Sequence, residues 1–173
     1  MKGKMIAIVV VGLFLLQTNL VFAQDEDIQK YPSCKYCGMD RLQFAHSRVL
    51  IEYEDGTTQG TCSLHCTAID LALNIDKAPK VIYVGDFGTK KLVNTEKAFW
   101  VIGGNRMGVM TQRAKWAFEQ KKDAEMFMKD NGGAQASFEE AMKAVYEDMY
   151  LDTKMIRERR KMRKMKTMEH RHN

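Results

Sequence analysis

At 173 residues, 45% hydrophobic and 28% charged, the chain is large enough for one ordinary domain, or for two small units sharing a core, and too small for several independent ones. Its formal net charge of +5 is unevenly placed: residues 154–173 hold nine Lys/Arg against two Glu, a net +7. Without residues 1–23 the chain has 25 basic and 22 acidic residues, net +3, so residues 24–153 stand at −4 and the basic balance does not mark the body as a nucleic-acid binder.

Lys2 and Lys4 precede the apolar run MIAIVVVGLFLL, and Val21-Phe22-Ala23 ends the segment with small residues at cleavage spacing. Residues 1–23 therefore read as a cleavable secretory signal peptide. The run is too short to span a bilayer, and no cysteine near the cut offers a lipid attachment point. A periplasmic, soluble protein that is not a lipoprotein is expected, which again argues against a nucleic-acid partner.

Residues 24–32 are polar and read as a loose leader. FAHSRVLIEY (44–53) is rich in β formers, and Asp55-Gly56 is a hairpin signal before TTQGT. Ser63 can cap a helix running to about residue 74, and VIYVGDF (81–87) reads as a buried strand. This is a ββαβ unit, and it carries all four cysteines. AFWVIGG (98–104) and AKWAF (114–118) predict two further strands. A helix from about Lys121 should stop at Asn131-Gly132-Gly133, and Ser137-Phe138-Glu139-Glu140 is a capping box opening a long final helix. The expected fold is α+β: two related ββαβ-like units sharing one compact body, plus a long C-terminal helix. The expected divisions are 1–23, a metal-binding domain over 24–150, and a basic Met/His-rich helical tail over 151–173, whose removal should spare the core. Neither a glycine-rich phosphate loop nor a Ser/His/Asp arrangement is evident, so no enzyme activity is expected.

Cys34, Cys37, Cys62 and Cys66 form C-x2-C-x24-C-x3-C, a four-ligand pattern. In an exported protein, four thiols would by default pair as two disulfides. Cys62, His65 and Cys66, however, share one face at a helix amino end, where i, i+4 Cβ atoms stand ~5–6 Å apart and a disulfide needs ~3.5–4.5 Å; this argues against a local Cys62–Cys66 bridge and leaves Cys62–Cys37 or Cys66–Cys34 disulfides open. A helix amino terminus also favours thiolate. Zn(II) would accept four thiolates in a closed tetrahedron, whereas Cu(I) accepts fewer ligands, a thioether included. Gly38 permits a turn directing Met39 back toward Cys37, which favours Cu(I). Met107 and Met110 flank a turn and read as packing.

Cys37-Gly38-Met39, Cys62-Ser63 opening a helix, Tyr83-Val84-x-Asp86, the AFWVIGG strand, Met107-Gly108 and Asn131-Gly132-Gly133 resemble the NosL family, accessory proteins of nitrous oxide reductase maturation. The resemblance runs from about residue 34 to 146. It implies a periplasmic Cu(I) chaperone for the copper–sulfide centre of the client enzyme, nitrous oxide reductase, with Cys37 and Met39 first as ligands and Cys62 as a further one. The chain departs from the family pattern in lacking a lipobox cysteine, in adding Cys66 and His65, and in its basic tail. The expected metal site is Cys37, Met39 and Cys62, with Cys34, Cys66 and His65 as additional ligands.

Met162, Met165 and Met168 stand at i, i+3 spacing in the tail, followed by His170 and His172, with Met155 seven residues earlier. These suit a secondary copper site, or the tail serves as an amphipathic helix contacting a partner protein or membrane surface. Two other functions fit the cysteines: a structural zinc module that binds partners, and a thiol–disulfide oxidoreductase using Cys34 and Cys37.

Overall fold

The structure, a computed structural model, describes residues 26–172, with side chains to residue 169; the expected signal peptide lies outside them. Helix α1 (Glu26–Lys30) leads into a cysteine-bearing loop, then strands β1 (Val49–Tyr53) and β2 (Thr58–Thr61), helix α2 (Leu64–Leu73), and strands β3 (Pro79–Gly85) and β4 (Leu92–Asn94). Next come β5 (Phe99–Ile102), β6 (Lys115–Phe118), helix α3 (Lys121–Asn131), β7 (Ala134–Ala136) and the 35-residue helix α4 (Phe138–His172). No helix among the described residues is long and apolar enough to cross a membrane.

The first sheet has the order β2-β1-β3-β4 and the second β6-β5-β7, all neighbours antiparallel. Each unit thus runs strand, strand, helix, strand, with the third strand pairing back beside the first. The expected pair of ββαβ units and the long final helix are both present. Their hydrophobic core is common: Val49, Ile51 and Val84 of the first sheet pack with Trp100 and Ala117 of the second and with Ala141 and Val145 of α4. Trp100 stacks on Phe138 at 5.7 Å and donates its indole N–H to Thr95 O.

Local chemistry sets the element ends. Asp55 accepts the Thr57 N–H and hydroxyl, and Gly56 takes φ +78°, turning β1 into β2. The capping box forms as expected: the Ser137 N–H donates to Glu140 Oε2 at 2.7 Å and the Glu140 N–H to Ser137 Oγ at 3.2 Å. Helix α3 ends at Gly132, φ +74°.

Three expectations need correction. The strand expected over 44–53 starts only at Val49, because the preceding residues turn back through the Ala45 N–H to Leu42 O and Ser47 N–H to Phe44 O bonds. That turn lies so close to β3 that a Cβ on Gly85 would fall 2.0 Å from Ala45 O. The leader is not loose: Asp27 on α1 is buried and pairs with two buried guanidiniums, Arg41 at 2.6 Å and Arg48 at 3.0 Å. Arg41 further donates to Asp27 O, Tyr31 O, Val49 O and Thr61 O, so one side chain fastens the leader to both first strands. Finally, the core continues past residue 150, since Asp152 is 2% exposed and Met155 9%. The short strand β4 was not anticipated, and β7, the closing strand of the second unit, was implied by the expected pattern without being placed in the sequence.

Candidate metal centre

The C-x2-C segment forms a tight loop. The Cys34 N–H donates to Met39 O at 2.9 Å and the Gly38 N–H to Cys34 O at 2.8 Å. Gly38 takes φ +74°, a conformation that costs an L-residue roughly 1–2 kcal/mol. The C-x3-C pair arrives from the other side. Cys62 follows β2, Ser63 precedes α2 with extended backbone, and Cys66 lies in the helix's first turn. Ser47 Oγ donates to Cys62 O at 2.9 Å and holds this junction.

Asp70 fastens α2 both to the C-x2-C segment and to β1. Tyr36, inside the C-x2-C segment, and Tyr53 on β1 both donate their hydroxyls to the buried Asp70 carboxylate on α2. Burial, then the bond to Asp70, raises the pKa of each phenol.

All four sulfurs consequently converge, each Sγ within 4.8 Å of the others. Cys37 Sγ is 3.3 Å from Cys62 Sγ, and Cys62 Sγ is 3.7 Å from Cys66 Sγ. All four cysteines are free. Four thiolates ~2.3 Å from one ion would have sulfurs about 3.8 Å apart in a tetrahedron, so the set fits a soft metal ion. The thiols also perturb one another. Cys34 is pushed well down, by the bonds of Cys37 first, then Cys62 and Cys66. Cys37 is lowered as well: Cys34 opposes its ionisation, and Cys62 and Cys66 outweigh it. Cys62 and Cys66 are pushed up, by Cys34 and then Cys37. Like charges this close resist full ionisation, and a cation among them removes the conflict.

Cys34, Cys62 and Cys66 are 2%, 0% and 0% exposed, and Cys37 alone is half-buried. They sit against Val101, Val109, Trp116 and Phe127, so the first unit supplies every thiol and the second an apolar backing. Cys37 and Met39 open onto a groove of about 590 Å³ lined also by Met107, Met110 and Met155. Met110 has φ +61°, a conformation costly to any residue with a Cβ and often met at functional sites.

The remaining expected ligands are placed differently. His65 stands outside the sulfur group, its Nδ1 3.8 Å from Asp152 Oδ2 on α4. Burial holds its imidazole below the ordinary range, against the pull of Asp152. His65, Asp152 and Trp116 each keep a buried polar atom without a protein partner and line a cavity of about 10 Å³, about the room one water needs. Met162, Met165 and Met168 are 53–60% exposed on α4, whereas Met155, the start of their stripe, is buried. The side chains of His170 and His172 lie outside the described residues.

Sequence reasoning missed Tyr36, Asp70, Asp152 and Arg160. Asp70 carried a signal, as the one acidic residue in the apolar helix LHCTAIDLAL. Arg160 Nη2 donates to Cys37 O at 3.2 Å across 123 residues, which no local pattern announces.

Residues 25–146 match the model of the NosL family. The chain belongs to the NosL family. Among solved structures, it is similar to the copper chaperone NosL from Shewanella denitrificans, at 24% identity and TM-score 0.50, covering 62% of this chain and 87% of that one. This supports a common fold. It is also similar to apo-NosL from Achromobacter cycloclastes, at 25% identity and TM-score 0.37, covering 52% of this chain and 81% of that one. No curated protein matches. Within this NosL protein, α4 continues past the end of the family match at residue 146 through Asp152, which faces His65, and through Met155 and Arg160, which border Cys37.

Proposed function

We propose that this protein is a Cu(I) chaperone that holds copper through Cys37, Cys62 and Met39, with Cys34 and Cys66 completing the donor set. The observation that carries this reading is four converging thiols with a single half-exposed member, Cys37, opening on a thioether-lined groove. Family membership and the copper chaperone named among its structural relatives support it. Copper here is cargo. Release proceeds by ligand exchange at Cys37, the thiol an incoming ligand can reach first, while the buried thiols retain the ion until replaced. This needs no catalytic step. His65 is assigned as a support for α2 through Asp152.

The reading extends to a periplasmic location after removal of residues 1–23, and to nitrous oxide reductase as the client. Protein purified anaerobically should carry about one Cu(I) per chain at this centre, competitive with a chromophoric chelator. It should raise copper uptake by copper-depleted nitrous oxide reductase above that from free Cu(I) chelate. Protein that binds no Cu(I) in the titration refutes the chaperone, and normal binding without faster uptake refutes that client.

A second reading has one observation in its favour. Four mutually close thiols, three fully enclosed, suit a closed structural Zn(II) site. That reading predicts one tightly held zinc, and a cooperative loss of fold on chelation.

A further inference from the structure

The groove beside Cys37 combines two unlike chemistries. Thioethers of Met39, Met107, Met110 and Met155 line it together with a cationic wall, Arg159, Arg160 and Arg163 of α4. All three arginines are exposed, and no described carboxylate pairs with them. The one acidic residue in the lining, Asp40, is engaged within its own turn, accepting the N–H groups of Leu42 and Gln43 at 2.8 and 2.9 Å. Arg160 already bonds the Cys37 carbonyl, so the wall is tied to the thiol through which exchange would begin. The wall also lies in the part of α4 beyond residue 146, outside the NosL family match.

We propose that this arginine-walled groove docks an acidic segment of the protein that exchanges copper with the chaperone. The proposal rests on the chaperone reading above. A guanidinium fork matches a carboxylate in two parallel bonds, which suits recognition of Asp or Glu side chains. The surface is concave, and its volume of about 590 Å³ accommodates side chains of an extended peptide more readily than a flat bilayer. With the other three thiols enclosed, a partner ligand reaches Cys37 through this groove or through the smaller cleft of about 150 Å³ beside Tyr36 and Arg157, and Arg160 borders both. Carboxylates beside the partner's copper ligands would thus bring those ligands to the one accessible sulfur.

The test is fluorescence anisotropy of the full chain, apo and Cu(I)-loaded, with a labelled synthetic peptide alternating glutamate and methionine. The same peptide with lysine for glutamate is the reference. The glutamate peptide should bind and the lysine peptide should not. Arg159→Glu/Arg163→Glu should weaken binding by about tenfold or more, whereas Lys164→Glu/Lys166→Glu, on the same helix but outside the groove, should change it less than about twofold. All four positions are exposed, and circular dichroism of each variant should superpose on the wild type. Equal losses in the two double variants would reduce the effect to general tail charge and overturn the proposal. It is also overturned if the arginine variant loses only Cu(I) affinity, since the wall would then merely offset thiolate charge. Loss of binding to phosphatidylglycerol-containing vesicles with peptide binding intact would make the surface a membrane contact and likewise overturn it. Cu(I) titration of the same samples is independent: wild type that takes up no Cu(I) overturns the chaperone reading. Normal Cu(I) uptake without arginine-dependent peptide binding overturns the docking assignment alone.

Discussion

Met39 and the cysteines differ in what they can be replaced by. Met39→Leu keeps volume and apolarity and should leave the fold intact. A thioether suits the softer ion, so the variant should lose Cu(I) affinity in a chelator competition while Zn(II) affinity stays nearly unchanged; equal Cu(I) affinity would remove Met39 from the proposed site. Cys37→Ser should abolish fast copper exchange, because the remaining thiols are enclosed, and the exchange rate to an added chelator reports this. Asp27 presents a sharper case. Replacing it with Ala strands two buried guanidiniums, a loss expected at about 3–5 kcal/mol, read by urea denaturation.

At the level of the element, α4 is the informative one. Its exposed end suggests a dispensable appendage, and every described residue from 157 to 169 is exposed. The segment just before it is another matter: Asp152 faces His65, accepts the Gln112 N–H at 3.0 Å, and is followed by buried Met155. Truncation after Tyr150 should therefore cost at least about 2 kcal/mol, the usual scale for deleting a buried Met side chain. Truncation after Arg163 should leave the melting temperature unchanged while removing the exposed Met162-to-Met168 face only in part. Comparing the two melts separates the structural stretch from the exposed one. The other end of α4 depends on its capping box, and Ser137→Ala should cost about 1 kcal/mol.

For the molecule as a whole, the two units are unequal partners. One supplies sulfur, and the other supplies an aromatic backing in which His46 lies 5.6 Å from Trp116 and 5.9 Å from Phe87. Burial, then the charges of Lys90 and Arg106, hold the His46 pKa below its ordinary value of 6.5. The folded protein binds this proton less readily than the unfolded chain. The stability so contributed is complete above about pH 6.5 and is lost as pH falls through the depressed value. Melting temperatures at about pH 7.5 and about pH 5 should diverge in the wild type and diverge less in His46→Phe. His65, lowered in the same direction by burial, will retain part of the difference.

Features that depend on near neighbours were legible in the amino-acid order alone. The order of the longer strands and helices, the Asp55-Gly56 hairpin, the glycine stop after α3, the Ser137–Glu140 box and the grouping of thiols into two short pairs are all set within a few residues, where backbone preference and periodicity act. Features that depend on distant chain segments meeting emerged only when the chain packed. Asp27 is worth little until Arg41 and Arg48 enclose it, and Tyr36 finds its acceptor 34 residues away in Asp70. Whether His65 faces sulfur or carboxylate was settled by α4 crossing over α2. Met155 and Met162 share one periodic stripe, yet only the first meets the body. Periodicity names a face of a helix, but burial depends on what lies opposite, and that is fixed only when the whole chain has packed.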